Sequence, residues 1–188
     1  MPCLVCAMIP IMSMCWFDRT TALVDRDVSL RDGHILFHAG EAVRHFYVVR
    51  SGCVLLARVQ ASGEPLVLQR ATAGHMVAEA SVFAARYHCD ARVSGPSVLG
   101  RIRRAALQQL TEEDPTWLRE FAAHLATEVQ RARARAQLLS LKRVDLRLDA
   151  WLALNDGALP PRGRWFEVAA ELAVTPEALY RELARRRL

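Results

Sequence analysis

The 188-residue sequence holds no apolar run long enough to cross a bilayer, which takes about 20 consecutive residues. Its opening stretch, Met1–Phe17, is apolar but is broken by Pro10, and it lacks a basic leader and a small-residue cleavage site. It therefore makes a poor signal peptide. Five cysteines, an odd number at irregular spacing, do not form the framework of a small secreted fold. These absences predict a cytoplasmic protein with no membrane partner. Also missing are a nucleophile elbow, a phosphate loop, paired carboxylates and a zinc signature. Glu79 alone in an apolar run makes no mechanism, so no enzyme is expected. Internal repeats and low-complexity tracts are absent as well. What the chain does have is 52% hydrophobic residues, enough for an ordered core, and a net charge of +5. That mild basicity is compatible with nucleic acid without requiring it.

One stretch organises the rest. Asp114 can cap a helix whose first position is Pro115, where the missing N–H costs nothing. From there Leu118, Ala122, Leu125, Val129, Ala132, Ala136 and Leu139 recur at alternating steps of four and three, the seam of a two-stranded coiled coil. Arg119, Glu120, Glu128, Arg131 and Arg135 lie opposite and suit water. The alanines permit close approach, so the helix over 115–139 is read as a homodimer helix.

Before it, from Val28 to Ile102, short β-rich runs alternate with glycine turns. His34–His38, His45–Arg50, Cys53–Gln60, Pro65–Arg70, Tyr87–Ser94 and Ser97–Ile102 read as strands of a sandwich, barrel or jelly roll. A short helix, Arg103–Leu110, is expected to break at Thr111–Asp114. After the long helix, periodicity restarts over Lys142–Asn155, and Asp156-Gly157 with Pro160-Pro161 makes a loop. Phe166–Leu188 reads as helix, tight turn, helix. Val168, Ala169 and Leu172 form one inner face, Ala173-Val174 the turn, and Leu179 with Leu183 the other inner face. Thr175 is the N-cap candidate, Pro176 suits the first position and Glu177 the first turn. Glu177, Tyr180, Arg181 and Arg185 then project outward together, the layout of a helix entering the major groove. Arg181 can take guanine O6 and N7, Glu177 can accept from a cytosine amino group, and Arg185-Arg186-Arg187 can meet phosphates.

The order of β-rich half, pairing helix and helix-turn-helix resembles the cyclic-AMP receptor/fumarate–nitrate regulator (Crp/Fnr) family of bacterial transcription regulators. The residues that carry the resemblance are His34-Ile-Leu-Phe-His-Ala-Gly-Glu41, Phe46-Tyr-Val-Val-Arg-Ser-Gly-Cys-Val54, Met76-Val-Ala-Glu-Ala-Ser-Val-Phe83 and the run from Val168 to Leu183. It implies an α+β fold: an N-terminal cyclic-nucleotide-binding-like β jelly roll over 18–110, a dimerisation helix over 111–141, and a helix-turn-helix over 142–188. The family's small β-wing would follow Leu188, so the reader is expected without one. The resemblance further implies a homodimer on palindromic double-stranded DNA, acting on RNA polymerase. Thr175 falls on a phosphate-contacting or capping position, while Glu177 and Arg181 fall on base-reading ones. Pro176 stands where some members carry an arginine.

Two departures concern the effector. Glu79 matches the family's ribose-binding glutamate, but Ala78 replaces the glycine before it. Ten residues on, where an Arg-Ser pair would hold a cyclic phosphate, stand Cys89 and Asp90. A carboxylate there repels phosphate, so no cyclic nucleotide is expected, although Arg86 or Arg92 can substitute for the missing guanidinium. Glu79, Cys89, Asp90 and Arg92 are the candidate residues for an unknown effector. Cys3, Cys6 and Cys15 resemble the clustered cysteines of the iron–sulfur branch, but Gly100 stands at the later cysteine position, so no cluster is expected. Haem through His75, His88 or Cys89 is not expected either, and His34 and His38, about 13 Å apart along a strand, are too far apart to share a metal. Trp117, Trp151, Trp165 and Phe166 read as core packing and His124 as a side-face residue. An effector-binding or protein-interaction module with a degenerate reader is the alternative function.

Overall fold

The computed structural model describes residues 16–59, 65–155 and 157–186. They fold into two compact units. One takes the described residues up to Arg58 together with Gln69–Thr127, and the other takes Val59–Leu68 together with the chain from Glu128 onward.

In the first unit, eight strands form two antiparallel four-stranded sheets. They are β1 (Val24–Leu30), β2 (Ile35–Phe37), β3 (His45–Ser51), β4 (Cys53–Val59), β5 (Pro65–Thr72), β6 (Met76–Val77), β7 (Asp90–Val93) and β8 (Ser97–Arg103). One sheet has the order β1-β8-β3-β6 and the other β2-β7-β4-β5, and β5 runs on into the second unit. The expected β jelly roll is therefore present. Phe46, Val48, Val54, Leu56, Val93, Leu99 and Ile102 fill its interior, and burying such side chains contributes roughly 1.5–3 kcal/mol each. The turn at Gly52 needs glycine on two counts. Its φ is +86°, and a Cβ there would lie 2.1 Å from the Ser97 Oγ, which accepts the Cys53 N–H at 3.0 Å.

Several boundaries differ from expectation. β1 (Val24–Leu30) precedes the first strand expected, His34–His38, and was missed because its shallow alternation buries little of it. β6 and a helix over residues 16–21, α1, lie where neither was expected. The helix α2 (Arg104–Glu113) runs through Thr111 to Glu113, stopping only where Asp114 caps the next helix. Regular pairing in β7 starts at Asp90, though burial already alternates from Tyr87.

The long helix, α3 (Pro115–Ser140), starts as its cap predicts: the Asp114 carboxylate accepts the Trp117 N–H at 2.9 Å. Its first turns pack through one face only. Trp117 stacks on Phe121 with centroids 4.8 Å apart, Trp16 lies 4.3 Å from the His124 ring, and the Trp117 indole donates to Thr20 Oγ1 at 3.0 Å. The neighbouring stripe stays open, with Ala122, Val129, Ala132 and Ala136 exposed and Leu118, Leu125 and Leu139 half-buried.

In the second unit, α3 is followed by α4 (Val144–Leu154), α5 (Trp165–Glu171) and α6 (Pro176–Arg185). Their core joins Leu138, Leu148, Trp151, Val168, Ala169, Leu172, Leu179 and Leu183, all almost completely buried. Trp151 is core, as expected. Trp165 is half-buried and packs against this core, whereas Phe166 is exposed, against the expectation that it is a core residue.

Candidate nucleic-acid interface and effector pocket

The helix-turn-helix is built from α5 and α6. Thr175 is extended, and its Oγ1 accepts the Ala178 N–H at 3.3 Å, with Pro176 in the first helical position. The Glu177 carboxyl lies below the usual carboxylate range, held there by its own backbone N–H and then by the Thr175 hydroxyl. Leu179 and Leu183 point inward with no exposure, so α6 turns Glu177, Tyr180, Arg181 and Arg185 to solvent. The five DNA-contact candidates thus share one cap and one open face. The turn between the helices puts Ala173 at φ +50°. Only glycine adopts that left-handed conformation freely, and an alanine there costs about 1–2 kcal/mol.

The charges of this face are not all free. Arg185 donates to the Glu182 carboxylate at 2.8 and 2.9 Å. Arg186 folds back onto Glu182, Asp149 and the Asp145 carbonyl. The expected basic end of the helix is therefore partly neutralised from within; Arg187 lies outside the described residues. The Arg181 guanidinium makes no hydrogen bond or ion pair among the described residues.

Three residues that position the reader were not among the candidates. Arg147 donates to four backbone carbonyls, those of Leu139 and Leu141 at the end of α3 and those of Leu172 and Ala173 at the turn. Glu171, with a fully buried side chain, accepts the Trp151 indole N–H at 2.7 Å and the Arg135 guanidinium at 3.3 Å. Arg135 also donates to the Leu68 carbonyl. Arg135 was expected to face water. Instead it is mostly enclosed, because a buried carboxylate needs a cation beside it. Charged residues on a helix surface read as solvated, and no spacing rule marks these exceptions.

In the first unit the four effector candidates divide between two faces. Glu79 is buried in a short turn and accepts from the Gln69 amide at 3.1 Å. Cys89 is also buried, and desolvation, then the Glu79 and Asp90 carboxylates, push its thiol up to about 11. It stays protonated and is no redox thiolate. Asp90 accepts the Ala39 N–H at 2.7 Å and lies 3.4 Å from His38 Nδ1. Arg92 is exposed between buried Ala91 and Val93, so it stands on the outer face, away from Cys89. Arg86 is engaged with the Gly40 carbonyl at 2.6 Å. Ala78, where the family has glycine, keeps the glycine conformation, with φ +73°. A recess of about 340 Å³ in the roll is lined instead by Phe37, Glu41, Arg44, His45, Tyr47 and Tyr87 among others. Groups of three or more metal-ligating side chains are absent among the described residues. Cys3, Cys6 and Cys15 lie outside them.

The described residues thus combine a β-roll holding a buried glutamate after a left-handed turn, a capped long helix and a helix-turn-helix. Residues 27–114 match the cyclic nucleotide-binding domain family. The fumarate and nitrate reduction regulatory protein of Vibrio cholerae is 23% identical over 135 residues, 72% of this chain and 54% of that protein. The chain thus spans about half the length of the curated relative it matches. Among solved structures, FixK2 from Bradyrhizobium japonicum superposes with a TM-score of 0.75 at 18% identity, covering 85% of this chain and 83% of that one. The c-di-GMP-responsive global regulator CLP of Xanthomonas campestris gives 0.70 at 20% identity, covering 93% and 91%. The chain is thus similar to proteins of the Crp/Fnr family. The first of these relatives is named a regulatory protein and the last a global regulator. Among the described residues, no helix is long and apolar enough to cross a membrane.

Proposed function

We propose that this chain is a transcription regulator that binds double-stranded DNA as a homodimer and responds to an effector other than a cyclic nucleotide. The observation that carries the reading is α6: a capped helix whose inward leucines close a core and whose outward face presents Glu177, Tyr180 and an unengaged Arg181. That face has the dimensions and chemistry of a major-groove reader, with Arg181 for guanine, Glu177 for a cytosine amino group, and Thr175 for the cap or a phosphate. The open stripe from Leu118 to Leu139 supplies the pairing surface. Two-fold symmetry then sets two reading helices about 34 Å apart on a palindrome, and RNA polymerase is the downstream partner.

The residues at the effector position do not suit a cyclic phosphodiester. That group needs guanidinium or N–H donors, whereas Cys89 offers a protonated thiol, Asp90 a carboxylate already bonded to the Ala39 N–H, and Glu79 a further acceptor. Arg92, the nearest guanidinium in sequence, faces outward. The domain keeps the family's roll without its anion chemistry. An effector shifts the balance between two dimer arrangements about α3.

Selection of bound duplexes from a random pool by the purified chain tests the reading. A palindromic consensus with half-sites one turn apart is expected, and recovery of no consensus overturns it. The second reading, a module without productive DNA contact, draws on the engagement of Arg185 and Arg186 by Glu182 and Asp149. The same selection separates the two.

A further inference from the structure

We propose that Arg162 is a phosphate-binding residue at the rim of the reading face, aimed by Trp165; the inference rests on the DNA-reading function above. The stretch from Arg162 to Arg186 carries five arginines. Three are taken: Arg164 is held by Glu167 at 3.0 Å, Arg185 by Glu182 at 2.8 Å, and Arg186 by Glu182 and Asp149. Two guanidiniums, those of Arg162 and Arg181, make no hydrogen bond or ion pair with a carboxylate among the described residues, although the charge of Arg181 is felt at Glu177. Arg181 lies on the face expected to read bases. Arg162 is exposed and stands in the short turn Arg162–Arg164 that leads into α5.

The position of Arg162 is fixed by stacking rather than by charge. Its Cζ lies 5.4 Å from the centroid of the Trp165 ring, within the range of a cation–π contact. Trp165 is itself held from two sides. Its indole donates to the Pro160 carbonyl at 3.0 Å, and its ring lies 6.1 Å from that of Tyr180 on the outward face of α6. Arg162, Trp165 and Tyr180 therefore form a chain of contacts from the loop to the reading helix. A helix seated in the groove with Tyr180 over the bases places Arg162 at the flanking backbone. A guanidinium stacked on an aromatic keeps its edge N–H groups free for a phosphate's oxygens. An ammonium in its place would keep the charge and lose the fork.

The test measures affinity by fluorescence anisotropy between about 50 and about 200 mM salt, for the full chain on its selected duplex and on a scrambled one. Each phosphate contact contributes about −0.9 to the slope of log affinity against log salt, so Arg162→Gln in both protomers should make the slope shallower by about 1.8. It should weaken both duplexes by the same factor, leaving their ratio unchanged. Arg162→Lys should keep the parental slope at lower affinity. Trp165→Leu should lower affinity with the charge still present, and Trp165→Phe should restore it. Thermal melts check that each variant folds; exposed Arg162→Gln is the deciding one. A parental slope for Arg162→Gln overturns the assignment while the DNA-reading function stands. A changed ratio between the duplexes overturns it too, because the residue would then touch bases. If the parent itself binds neither duplex in a salt-dependent way, the function fails and the inference falls with it.

Discussion

One amine of the Arg147 guanidinium donates to the Leu172 carbonyl at 2.8 Å and the Ala173 carbonyl at 3.0 Å, while its Nε donates to the Leu141 carbonyl at 2.6 Å. One side chain therefore satisfies carbonyls at the end of the long helix and at the turn of the helix-turn-helix. Both sets are acceptors that helix geometry leaves without partners. The planar fork can reach them at once, and an ammonium cannot.

Arg147→Lys should therefore destabilise the second unit by about 2 kcal/mol, since hydrogen bonds to charged donors contribute roughly 1.5–3 kcal/mol each and do not add fully. Urea unfolding followed by tryptophan fluorescence measures this, because Trp151 is buried in the same core. A midpoint equal to the parent's would show that water replaces the guanidinium.

The turn itself is strained. Ala173 sits at φ +50° with an exposed side chain. Ala173→Gly relieves about 1–2 kcal/mol of strain and loses roughly 0.4–1 kcal/mol through greater freedom of the unfolded chain. A net gain of about 0.5–1 kcal/mol is expected by denaturant midpoint. Ala173→Val should lose stability, and a gain from that variant would contradict the strain argument.

The fold was legible wherever a local rule acts alone. Glycine turns bracketed β3, β4 and β8, Asp114 and Pro115 marked the start of the long helix, and Thr175 with Pro176 marked the start of α6. It was not legible where tertiary contact decides. Helix α1 lies at the end of the apolar arm and is held where Trp16 and Thr20 accept the Trp117 indole N–H. Of the candidate site, the outward set from Glu177 to Arg185 follows from spacing alone. The engagement of Arg185 by Glu182 does not, because a carboxylate three residues away on a helix is only one of several reachable partners. Arg135, Arg147 and Glu171 escaped for the same reason: sequence reads a charge as solvated until a buried partner is seen.

Pairing through the long helix is tested at Val129, which is 49% exposed in the single chain and lies mid-stripe. Val129→Glu should leave the monomer fold within about 0.5 kcal/mol, as exposed substitutions do. It should shift sedimentation from a dimer to a 21.1 kDa monomer. A variant that sediments like the parent would place the contact elsewhere.

Arg181→Ala removes the unengaged guanidinium of the reading face. It should cost about 1–3 kcal/mol of affinity for the selected operator and relax preference at one base pair of each half-site. Repeating the duplex selection with the variant shows both. An unchanged consensus at unchanged affinity would remove Arg181 from base readout.

Acid should loosen α6 through Glu182. Hydrogen bonds from Arg185 and then Arg186 hold its carboxyl down at about 2, against 4.5 without those partners. The folded chain thus keeps this carboxylate ionised where the unfolded chain would protonate it. Its stabilising effect is complete above about pH 4.5 and is lost as the pH falls through about 2. Asp145, lowered chiefly by its bond to Arg143, adds to the same limb and remains in any Glu182 variant. Glu182→Gln should therefore flatten, without abolishing, the fall of stability below pH 4.5. It should also free Arg185 for phosphates, raising affinity for non-specific duplex at neutral pH. Denaturant midpoints across the acid range, compared between parent and variant, decide the first point. Parallel curves would mean that the Glu182 pairs are too solvated to matter.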